Sequence, residues 1–91
     1  MSARPSDRER LTGTLSAVLS ASGRMCELEA GAGGLLVYAS TRVDVAAAAR
    51  KVLRAVVDRD SRAVVTGPEH DPEEPGKSAW WAEVTFDWGR L

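Results

Sequence analysis

The sequence holds one cysteine and one histidine, and no isoleucine, asparagine or glutamine. A lone thiol, Cys26, excludes an internal disulfide. It also has no partner histidine in a recognisable nucleophile motif, and no serine or threonine sits in a nucleophile elbow. The missing amide and isoleucine residues, set beside plentiful Ala, Val and Arg, reflect GC-rich coding and carry no mechanism. No apolar run reaches the length needed to span a bilayer. Met1-Ser2-Ala3-Arg4-Pro5 leads into charged Asp7-Arg8-Glu9-Arg10 without the apolar region of a secretory signal. A basic excess is missing too. The net charge of -1 argues against a protein that works by neutralising phosphates, so nucleic acid is disfavoured as a partner. Together these absences place the expected protein in the cytoplasm, away from membranes.

What is present describes a folded chain. Hydrophobic residues make up 44% of the 91 residues and charged residues 27%, the balance of a globular domain rather than a disordered one. Residues 1–91 are read as a single α+β domain. A core this small buries a modest fraction of its surface, and pairing with a second copy is the expected remedy.

Ser6 and Glu9 have the spacing of a capping box. Leu11, Leu15, Val18 and Leu19 then recur as one helical stripe, and Gly23 is placed to end that helix. Arg24 to Ala30 alternates polar and apolar residues, as a half-buried strand does. A glycine-rich turn, Gly31-Ala32-Gly33-Gly34, leads to a second strand over residues 35–39. These glycines precede a strand and open no helix, so they form no phosphate loop. Thr41 and Asp44 repeat the capping signature. In the helix that follows, Val45, Ala49, Val52, Leu53 and Val56 face the core, whereas Arg50, Lys51, Arg54 and Asp58 face water. Arg62 to Thr66 reads as a third strand, Gly67 to Ser78 as a polar loop with three prolines, and Ala79 to Trp88 as a fourth strand.

The order helix-strand-strand-helix-strand-strand predicts a two-layer α+β sandwich, a four-stranded antiparallel sheet with both helices on one face. The same order arises when the first strand of a ferredoxin-like fold is moved to its end. In that permuted arrangement the last strand lies inside the sheet, beside the second. This likeness concerns topology and implies no function.

Alternation divides the fourth strand. Trp80, Ala82, Val84, Phe86 and Trp88 point toward the helices, and Trp81, Glu83, Thr85 and Asp87 point away. The first strand divides in the same manner, with Cys26 and Leu28 inward and Glu27 and Glu29 outward. Tyr38 joins the outer set if Val37 points in. The predicted open face is therefore acidic with aromatic residues embedded, and aromatic residues are enriched where proteins meet. Trp81, Glu83, Thr85, Asp87, Glu27, Glu29 and Tyr38 are the candidate interaction residues.

Other clusters carry less. Arg50, Lys51 and Arg54, continued by Arg59 and Arg62, form a basic patch suited to phosphate or an acidic partner. No aromatics interleave with them as single-strand binding requires. His70 lies among four carboxylates in Glu69-His70-Asp71-Pro72-Glu73-Glu74, at a spacing that matches no compact metal motif, so no metal site is assigned. No catalytic residue and no cofactor are assigned either. The leading expectation is a non-catalytic interaction or regulatory module that self-associates through its sheet, with a homo-oligomer or another protein on the open face. The alternatives are a small-molecule-binding domain or minor enzyme with a pocket between sheet and helices, and a weak nucleic-acid binder using the basic second helix.

Overall fold

The computed structural model describes residues 5–23, 26–71 and 79–91. In chain order it holds α1 (Pro5–Ala21), β1 (Cys26–Gly31), β2 (Gly34–Ala39), α2 (Arg42–Val57), β3 (Val64–His70) and β4 (Trp80–Thr85), closed by a 3-10 turn over Trp88–Arg90. The Ser6 side chain, Arg24, Met25 and residues 72–78 lie outside the described residues.

Each helix forms where its local chemistry directs. The Thr41 hydroxyl caps α2 by accepting the Asp44 N–H at 3.1 Å, which satisfies one of the unpaired donors of a helix N-terminus. Gly23 follows α1 in the left-handed region, at φ 78°, where a residue without a Cβ is unstrained. Leu15 and Leu19 are buried on α1, with Leu11 packed against them. Val18, read as part of that stripe, is instead 46% exposed. The buried line runs at intervals of four, and Val18 stands about 100° round the helix from Leu19. On α2 the buried set is Val45, Ala48, Ala49, Val52 and Val56, and Leu53 packs at its margin.

The strands form one antiparallel sheet of order β1-β2-β4-β3. This is the order of the permuted ferredoxin-like arrangement, with the last strand internal. Both helices lie on the same face: Leu15 and Leu19 of α1 share one buried cluster with the α2 residues and with Leu35, Val37, Ala82 and Val84 of the two central strands. Burying a leucine such as Leu19 stabilises the fold by about 1.5–3 kcal/mol.

Among the described residues, three strand limits differ from the sequence reading by two residues or more. β3 starts at Val64, after a turn that includes Arg62, and continues to His70 through what was expected to be loop. It survives Pro68 by bulging. Thr66 pairs with Glu83 and Glu69 with Trp81, so three residues of β3 span two of β4. Gly67, at φ 99°, supplies the bend before a cis Gly67–Pro68 bond. Proline is tolerated there because β3 is an edge strand and the bulge takes Pro68 out of the ladder. β4, in turn, ends at Thr85 rather than at Trp88.

The segment after β4 is tied down by polar contacts. Asp60, 3% exposed, accepts the Arg62 N–H at 3.0 Å and the Asp87 N–H at 2.8 Å. The Trp88 indole donates to the Gly31 carbonyl at 2.8 Å, and the Arg8 guanidinium lies 5.4 Å above its ring. Gly34, at φ 151°, lies so close to β4 that a Cβ there would strike the Val84 carbonyl.

Candidate functional site

Directly paired residues of an antiparallel sheet share a face, so the registers place every outward side chain. One row across the open face reads Glu27, Tyr38, Trp81, Glu69. The next reads Glu29, Leu36, Glu83, Thr66, and the third Gly31, Gly34, Thr85, Val64. Tyr38 and Trp81 are therefore cross-strand neighbours on the two central strands, with Leu36 beside them. All three are half-buried. Four glutamates, Glu27, Glu29, Glu69 and Glu83, surround them, and no lysine or arginine occupies the rows.

The structure thus brings six of the seven candidate interaction residues onto one surface: Glu27, Glu29, Tyr38, Trp81, Glu83 and Thr85. The seventh, Asp87, lies beyond the end of β4. Its carboxylate caps the 3-10 turn by accepting the Gly89 N–H at 2.9 Å and lies 3.8 Å from the Arg90 guanidinium. Leu36, Val64 and Glu69 belong to the face but were not singled out in the sequence. The parity of Leu36 with Tyr38 gives the first; the bulge at Gly67–Pro68 hides the third.

Tyr38 carries the electrostatic signature of this surface. Burial comes first, then the charge of Glu29, the hydrogen bond from the Tyr38 hydroxyl to the Glu29 carboxylate, and the charge of Glu83; together they raise its pKa. A phenol among carboxylates resists becoming a further anion. The face is a negative field with an apolar centre.

The remaining candidates are dispersed. Arg50, Lys51 and Arg54 are exposed on α2. The Lys51 ammonium donates to the Ser22 hydroxyl at 2.7 Å, and Arg59 donates to the Leu91 carbonyl at 3.1 Å. The His70 ring lies 5.0 Å from the Trp80 ring, tilted at 53° to it, on the other side of the sheet from Trp81. Among the described residues no group of three His, Cys, Asp or Glu side chains is arranged to hold a metal ion; Pro72, Glu73 and Glu74 fall outside them. Cys26 packs against the core. Between sheet and helices the described buried residues are apolar except Asp60, and a ligand pocket needs several converging polar groups. No helix is long and apolar enough to cross a membrane among the described residues.

No protein-family model matches the chain, and neither the curated proteins nor the solved structures yield a match.

Proposed function

We propose that this protein is a non-catalytic protein-interaction module and that the open face of its sheet is the contact surface. The observation that carries the reading is the placement of Leu36, Tyr38 and Trp81 side by side on a face whose other side chains, Val64 apart, are polar. Aromatic side chains at the centre of a patch, ringed by polar ones, are the usual composition of an interface core and rim. A solvated sheet face has no need of them, since antiparallel sheets are commonly polar on their wet side.

Self-association through this face is the version that charge disfavours. Two copies meeting face to face would bring two sets of Glu27, Glu29, Glu69 and Glu83 together, and like charges across an interface are costly. A partner of different composition suits it better. The basic side of α2 is the second surface in rank, and part of its charge is already engaged within the chain.

Site-specific photocrosslinking in the cells that make the protein tests this. A photoreactive residue at Thr85, exposed on the open face, is expected to give a discrete crosslinked product. The same residue at Arg50, on α2, is expected to give none. Crosslinks confined to Arg50, or absent from Thr85, would overturn the reading.

A further inference from the structure

We infer that the open face receives a cationic amphipathic protein segment, one whose single apolar stripe is bordered by Arg or Lys. This rests on the reading of the face as a contact surface and adds the chemistry of what it contacts.

The first argument is charge complementarity. Glu27 and Glu69 close the two ends of the row that holds Tyr38 and Trp81, and Glu29 and Glu83 flank Leu36 in the next. Among the described residues the apolar centre thus has a carboxylate at each border and no cation within its rows. A partner that buries its apolar stripe on Leu36, Tyr38 and Trp81 brings its own flanking side chains over these carboxylates. Only cations pair there; anions would be desolvated against like charge. The second argument is the aromatic pair. A guanidinium or ammonium over an indole face is attracted by the ring, more so beside carboxylates that hold it in place. The third is width. Central strands lie about 4.8 Å apart, so the apolar centre, Leu36 and Tyr38 on β2 with Trp81 on β4, accommodates the one-residue-wide stripe of a single segment.

The protein's own basic helix does not meet this description. Arg50, Lys51 and Arg54 supply charge, but the exposed valines of α2 are Val43 and Val57, at its two ends. They give no continuous stripe between the cations.

The test uses the intact protein and an 18-residue peptide with leucines at helical spacing and arginines on both borders. A second peptide carries glutamate in place of every arginine. Fluorescence anisotropy of the labelled peptides is read at low and moderate salt. The arginine peptide is expected to bind and to weaken as salt rises, and the glutamate peptide to show no binding. Trp81→Ser, which leaves the charge unchanged, is expected to weaken binding at least tenfold. The pair Glu29→Gln and Glu83→Gln is expected to weaken it several-fold and to flatten the salt dependence. Arg50→Ser serves as the control on the opposite layer and is expected to change nothing. Should Trp81→Ser fail to fold, Thr85→Arg places a cation on the face at an exposed position and is expected to weaken the arginine peptide.

Binding unaffected by both Trp81→Ser and Thr85→Arg, or equal binding of the two peptides, would overturn the inference. So would salt-sensitive self-association abolished by Arg50→Glu with Arg54→Glu, because the occupant would then be α2 of a second copy. If the Thr85 crosslink forms while the arginine peptide does not bind, the contact surface stands and its cationic partner falls. If neither occurs, both fall.

Discussion

The two faces of β4 are built from the same six residues, yet they answer to different forces. Ala82 and Val84 point into the helices and are wholly buried, while Trp81, Glu83 and Thr85 point the other way and stay in contact with water. On the inner face, identity is dictated by volume. Each side chain is held by neighbours from α2 and β2, and what fits is apolar and of fixed size. On the outer face none of the described residues dictates a tryptophan beside a tyrosine. The inner face explains how the protein folds, and the outer face is the one proposed above to meet a partner.

The comparison breaks first on the inner side. Val84→Asp puts an unpaired charge where the side chain is fully buried. The expected loss is more than about 4 kcal/mol, seen as the disappearance of cooperative thermal unfolding. Leu19→Ala opens a cavity under the sheet and is expected to cost about 2–5 kcal/mol in urea titrations. Trp81→Ser removes a larger side chain than either, yet it is expected to cost only about 1 kcal/mol while eliminating the proposed contact. A loss comparable with that of Leu19→Ala would mean that Trp81 belongs to the fold and not to a partner.

Two pH effects sharpen the same contrast. Asp60 serves the fold: hydrogen bonds from the Asp87 and Arg62 N–H groups, and lesser attraction from Arg90 and Arg62, lower its pKa. Its stabilisation is therefore present above the unfolded value of about 3.9 and is lost as pH falls through the lower folded value. Thermal melts of Asp60→Asn should show a reduced acid-side slope. Tyr38 serves the surface, and its shift has the opposite sign. The neutral phenol is favoured by folding, so its contribution holds below about pH 10 and is lost as pH rises through the raised value. As the one tyrosine in the chain, it gives an unambiguous phenolate absorbance titration. Glu29→Gln should bring its midpoint back toward the ordinary value, with stability changed by no more than about 0.5 kcal/mol.

Much of the inner face was legible in the sequence, because alternation over residues 80–88 and the stripe on α2 are local patterns that burial enforces. The acidic open face followed from the same parity. What stayed hidden depends on residues far apart in the chain. Glu69 joins the face through a bulge whose register is defined only against β4. Asp60 reads as a surface carboxylate until its acceptor role for Asp87, 27 residues later, is seen. Asp87 left the face because Phe86 bonds the Gly33 carbonyl at 2.9 Å and the chain then turns, a bend that alternation alone does not mark.

The bulge in β3 also limits how copies of this sheet can grow. A sheet lengthens into a fibre only if both borders accept another strand. At Pro68 β3 has no backbone N–H and its ladder is broken. The opposite border, β1, is regular, but an antiparallel twin centred on Leu28 would set Glu27 against Glu29 of its neighbour. Chains that do join by that border form a pair with two blunt ends, and propagation stops at two.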